Sequence, residues 1–81
     1  MKGIELIILE NLSPDFDAKY IARDEDDSLW VFNVRPVKGA NTWSSDYFNP
    51  PESLNMFQHL FQFIQWEDKE PWKIEKELMS D

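Results

Sequence analysis

The sequence predicts an α+β fold: an N-terminal helix, an antiparallel β-hairpin or small sheet, and one or two C-terminal helices packed on one face. Three observations carry this. Ile4, Ile7, Ile8 and Leu12 recur at helical spacing near the start. Two runs rich in aromatic and β-branched residues flank the tetrad Asp24-Glu25-Asp26-Asp27, whose residues favour turns. Leu54, Phe57, Phe61 and Ile64 then follow the spacing of a second helix face.

In residues 2–12 the apolar stripe leaves Glu5 and Glu10 elsewhere on the wheel, as an amphipathic helix requires. The isoleucines are β-branched, so a buried strand is the alternative. Ser13-Pro14 ends the element, because the residue before proline avoids the α region. Residues 19–23 and 28–34 form the strands of a hairpin. Neither face of the second strand is polar, so both sides are expected to be covered. Arg35-Pro36 closes it, since proline donates nothing to a ladder. Residues 37–52 read as a loop in which Thr42-Trp43 and Tyr47-Phe48 are candidates for a third short strand pair. Ser53 is placed to cap a helix reaching about Phe61, although the tail Phe61-Gln62-Phe63-Ile64-Gln65-Trp66 alternates like a strand. Pro71 suits the first turn of a last helix. There Glu70/Lys73 and Lys73/Glu77 are helix-spaced ion pairs worth only about 0.2–0.5 kcal/mol each.

With 81 residues, the chain has the length of one domain spanning 1–81 and a small core. Four Trp, six Phe and two Tyr supply that core generously, which argues against a disordered chain. No run is long enough to span a bilayer, and no basic-then-apolar signal pattern opens the chain. With no cysteine, disulfides, thiolate catalysis and the usual structural zinc sites are excluded, and a cytosolic setting fits. Sixteen acids face eight bases for a net charge of −8, and no Lys or Arg occurs between Lys38 and Lys69. Nucleic-acid binding needs a basic patch, and an anionic membrane repels an acidic surface. Proteins with a basic surface remain as partners.

The tetrad invites three chemical readings. As a calcium loop it places Asp24, Asp26 and Ser28 correctly but has Leu29 where glycine is needed and Arg35 where the bidentate glutamate belongs. As an acid–base pair it lacks the contrasting environments that separate two carboxyl pKa values. As a protein-facing surface it projects carboxylates that imitate a phosphate backbone and steer a basic partner by charge. Asp24, Glu25, Asp26 and Asp27 are the primary candidates for that surface and Glu67 and Asp68 the secondary ones. Asp15, Asp17 and Asp46 extend it if the fold gathers them. The plainer alternative is a solvated turn. The one histidine, His59, has no evident nucleophile or orienting acid, and no phosphate-cradling glycine loop exists. No catalytic residue, metal or cofactor is therefore expected. Trp30 and Trp66 read as core, while Trp43 and Trp72, with more polar neighbours, are candidate apolar anchors of an interface.

Residues 20–43 and 63–75 also resemble a group of small phage and prophage proteins of Gram-positive bacteria. Ala22-Arg23-Asp24-Glu25-Asp26, Arg35-Pro36, Trp43 and Trp66-Glu67-Asp68-Lys69-Glu70-Pro71 carry the resemblance. One departure is Asp27, where the group often has glycine. The resemblance implies a phage accessory protein made in the cytoplasm of an infected bacterium. By analogy it acts without catalysis, inhibiting a host nucleic-acid-handling or defence protein such as a CRISPR effector through a DNA-mimicking acidic surface. The alternatives are a homo-oligomeric structural or regulatory phage protein, self-associating through residues 56–66, and a sponge for a small nucleotide signal.

Overall fold

A computed structural model describes residues 3–11 and 17–74. Helix α1 spans Gly3–Glu10. Strands β1 (Tyr20–Arg23) and β2 (Leu29–Phe32) form the central hairpin. Further on come β3 (Val37–Lys38), β4 (Trp43–Ser44), β5 (Glu52–Ser53), a 3₁₀ turn at Asn55–Phe57, and β6 (Trp72–Lys73). The main sheet has the order β5-β2-β1-β6, and β3 and β4 form a separate two-stranded lobe. All the pairings are antiparallel.

The hairpin is covered on both faces. Cross-strand partners share a face, so Ile21 with Val31 and Arg23 with Leu29 define one side, while Tyr20 with Phe32 and Ala22 with Trp30 define the other. The first side meets Leu9 of α1 together with Leu54, Phe61, Ile64 and Ile74. The second is closed by Trp43 of the lobe and by Trp66. A four-residue strand with no polar face is stable only between two such layers.

Beyond the hairpin the expected α+β arrangement is corrected. This is a mostly antiparallel β domain with one N-terminal helix, and among the described residues no C-terminal helix packs on a face of the sheet. Where a helix was expected at 53–61, the chain makes successive i→i−3 turns instead. Phe57, Gln58, Leu60 and Ile64 donate to the carbonyls of Leu54, Asn55, Phe57 and Phe61. Phe61 itself has φ 56°, a left-handed conformation that no helix continues through. Pro71 does not start a described helix either. Trp72–Lys73 add to the free edge of β1, and Ile74 N–H donates to the Lys19 carbonyl at 3.0 Å. Glu70 pairs with Arg35 at 3.7 Å, not with Lys73, and Glu77 lies outside the described residues. The third strand pair joins β4 to Val37–Lys38, so Tyr47 and Phe48 are left in a turn.

Candidate functional site

Arg23 ties the 58–64 turns to the acidic turn of the hairpin. The residue is 4% exposed, and each of its five N–H donors meets a carbonyl. Nε donates to Ile64 (2.8 Å). One terminal nitrogen donates to Asp27 (3.0 Å) and Gln58 (3.0 Å), and the other to Leu60 (2.9 Å) and Phe61 (3.1 Å). The Gln58, Leu60 and Phe61 carbonyls would lie in the last turn of the expected helix, where no intrahelical donor reaches them, and here Arg23 meets them while Phe61 also accepts the Ile64 N–H. Glu5 of α1 takes the Phe61 N–H at 2.5 Å, fixing the same turn from the other side. The Asp27 carboxylate, 3.5 Å from the guanidinium, supplies part of the countercharge.

The tetrad divides into one inward residue and three outward ones. Asp24 is 6% exposed, and its carboxylate accepts the Trp43 N–H at 2.8 Å. Its own N–H and carbonyl close the hairpin against Ser28 and Asp27. Asp24 is therefore a clamp between the hairpin and the lobe, not part of a displayed charge. Burial pushes its carboxyl above the ordinary value, against the opposing pull of the Trp43 hydrogen bond. Glu25, Asp26 and Asp27 are exposed. Asp26 accepts both the N–H (2.9 Å) and the hydroxyl (2.5 Å) of Ser28, and these bonds hold its carboxyl below the ordinary value. Asp27 adopts φ 77°, the left-handed position for which glycine is the easier residue.

Glu67 joins this turn in space. Glu25, Asp27 and Glu67 rim an open depression of ≈ 240 Å³ with Arg23, Asp24 and Trp66 beneath. Lys38 holds the 66–68 loop there: its ammonium donates to the Trp66 and Asp68 carbonyls and lies 4.3 Å from the Trp66 ring centroid. Among the described residues the only cation lining the depression, Arg23, is saturated by carbonyls, so these residues present negative charge at the opening.

Other candidates are placed elsewhere. The Asp68 carboxylate accepts the Trp72 indole N–H (2.8 Å) and the Gln65 N–H (3.0 Å). Trp72 is half-buried and meets Phe63 edge-on, with ring centroids 4.9 Å apart. Both border a second depression, of ≈ 580 Å³, where Arg35, Lys69 and Lys73 also gather. Trp43, a candidate anchor, is 6% exposed and fills the second core. Trp30 and Trp66 are half-buried against that same core. Asp17 pairs with Lys19 at 3.5 Å, and Asp15 lies outside the described residues. His59 is exposed, and among the described residues no three His, Cys, Asp or Glu side chains are grouped to hold a metal ion. Of residues 56–66, Phe57, Leu60, Phe61, Phe63 and Ile64 pack in or against the first core, while Met56 stands 77% exposed.

Among the described residues, the most exposed aromatic ones were not among the binding candidates read from the sequence. Tyr47 is 91% and Phe48 86% exposed. The signal available for them was Asp46 and Asn49-Pro50, which mark a tight turn and therefore an outward-facing centre.

Among the described residues no helix is long and apolar enough to cross a membrane. No family model, curated protein or solved structure matches the chain.

Proposed function

We propose that this is a non-catalytic binding protein that occupies the basic surface of a host protein, inhibiting a nucleic-acid-handling or defence factor by presenting carboxylates in place of phosphates. The observation that supports this reading best is the convergence of Glu25, Asp27 and Glu67 on one open depression whose only basic group among the described residues is internally consumed. Asp26 stands beside them on the same turn. Charges fixed on a hydrogen-bonded turn lose little freedom on binding, and a partner of opposite sign is steered toward them at low salt.

The test uses a neutral variant that leaves the clamp intact: E25Q/D26N/D27N/E67Q, with Asp24 unchanged. Asn at 26 keeps an acceptor for Ser28, and Asn at 27 tolerates the left-handed backbone. Tagged native and neutral chains are exposed to host lysate, and bound proteins are identified by mass spectrometry. Recovery of one basic protein by the native chain alone, with DNA competing for it, is the expected result. Equal recovery by both chains would remove the acidic face from the mechanism.

A further inference from the structure

We infer that the Tyr47-Phe48 turn is an apolar anchor that inserts into a concave apolar pocket with a basic rim on a protein partner. This rests on the protein-binding reading above but assigns a separate contact to it. Burying an aromatic side chain of this size is ordinarily worth about 1.5–3 kcal/mol, and this fold leaves two adjacent ones in water. Their rings touch edge to face, 5.4 Å apart and 89° between planes, so they form one knob. Side chains exposed to this degree stand proud of the surface, and their complement is a pocket.

The knob is held in place before any partner arrives. Asp46 Oδ1 accepts the Phe48 N–H (3.0 Å) and the Asn49 side-chain amide (2.8 Å). The Asn49 N–H donates to the Asp46 carbonyl at 3.2 Å, and the Ser45 hydroxyl donates to the Asn49 carbonyl at 2.5 Å. Pro50 restricts the exit. Trp43, two residues before this turn, is clamped by Asp24 and buried, which ties the lobe to the hairpin. A preorganised aromatic pair is what an interface hot spot requires, because little ordering entropy is left to lose.

Charge selects the occupant. Asp46 sits at the base of the knob, exposed Glu52 follows it, and residues 39–68 contain no Lys or Arg. A pocket that accepts the rings must therefore carry Lys or Arg around its mouth. A second copy is a poor occupant: a two-fold contact through this turn sets Asp46 against its equivalent between chains of charge −8. An anionic bilayer is repelled for the same reason.

The experiment places the photo-cross-linking residue p-benzoylphenylalanine at position 47 of the full chain in its native cells. Cross-linked peptides are mapped, and the recovered partner is purified for affinity measurement. The expected cross-link falls in an apolar pocket flanked by Lys or Arg. The partner should then bind Y47S/F48S at least about tenfold more weakly than wild type, with F48A intermediate. Unchanged melting curves establish that both variants are folded. Cross-links to a second copy or to lipid, no cross-link, or equal affinity for Y47S/F48S would each overturn the assignment. If Y47S/F48S loses affinity while E25Q/D26N/D27N/E67Q keeps it, the anchor stands and the acidic-face reading falls. The reverse pattern removes the anchor and leaves the acidic face.

Discussion

The turns at 24–27 and 46–49 are built on the same local device and put it to opposite use. In each, an aspartate carboxylate accepts the N–H two residues ahead, Asp26 from Ser28 and Asp46 from Phe48. In the first turn Arg23 and Asp24 are drawn inward, so side chains at the hairpin's end organise the distant segments 58–64 and 41–43. In the second, the hydrogen bonds stay within 45–49, and the central side chains are left to solvent. The difference lies in the neighbours. A side chain of such a turn becomes structural when it has buried long-range partners, as Arg23 and Asp24 do, and is free for recognition when its bonds are local, as at Asp26, Tyr47 and Phe48.

Breaking the inward turn should have the largest effect. Arg23→Ala leaves the buried Ile64 carbonyl without its donor, a group worth about 1–3 kcal/mol if unsatisfied, removes the part-buried bonds to Asp27, Gln58 and Leu60, and empties the space the side chain fills. A total loss on the order of 4 kcal/mol is expected in urea denaturation after partial relaxation, a large share of the stability of a domain this small. Arg23→Lys should recover only part of it, since an ammonium has three donors where the guanidinium has five. A cost below about 1 kcal/mol for Arg23→Ala would show that the 58–64 turns stand without it.

Asp24 gives a smaller and pH-dependent effect. Asp24→Ala strands the buried Trp43 N–H and should cost about 1–3 kcal/mol, whereas Asp24→Asn keeps an acceptor there and should cost less than about 1 kcal/mol. Because burial raises the Asp24 carboxyl above its ordinary value of 3.8, the folded state holds that proton more tightly than the unfolded chain does. This contribution is complete below pH 3.8 and is lost as pH rises through the raised folded value. Asp24→Asn should therefore gain on wild type as pH rises from 3 to 7. Asp26 is lowered, so its contribution is present above 3.8 and lost as pH falls through its lowered value. Asp26→Asn should lose ground to wild type over the same rise. Parallel pH profiles for the two variants would contradict the inward–outward division of the tetrad.

The smallest stability effects belong to the outward groups. E25Q/E67Q and Y47S/F48S should each change stability near neutral pH by no more than about 0.5 kcal/mol per residue, as is usual for exposed sites. A larger loss for Y47S/F48S would mean that the knob packs on its own chain and is not free to bind.

The hairpin was legible because its signals are local: two apolar runs, a cluster of turn formers and a proline stop. The acidic turn was legible for the same reason, and so was the existence of the N-terminal helix, but not its facing: Ile4 and Ile7 of the expected apolar stripe are exposed, while Glu5 is buried beside Leu9 because its carboxylate takes the Phe61 N–H. That Asp24 faces in while Asp26 faces out was not, because neighbouring carboxylates look alike until Trp43 N–H and Ser28 claim them. Trp43 read as an anchor because its sequence neighbours are polar, yet its indole closes the second core beside Ala22 and Phe32. Tyr47 and Phe48 read as strand residues because aromatics favour strands, and the stronger signal was the Asp46 turn beneath them.

By itself, the sequence determined the charge distribution, the absence of thiol chemistry, the central hairpin and the need to cover both its faces. These follow from composition and from side-chain alternation, which act over a few residues. Only the tertiary structure decided the fate of residues 54–64. Their apolar spacing suits a helix, and the same residues do enter the core. The backbone, however, answers to where its carbonyls find donors. A buried guanidinium from a strand some forty residues earlier offers five N–H groups at once, and a charged donor that must not be left unpaired outweighs a helical preference of at most about 1 kcal/mol per residue.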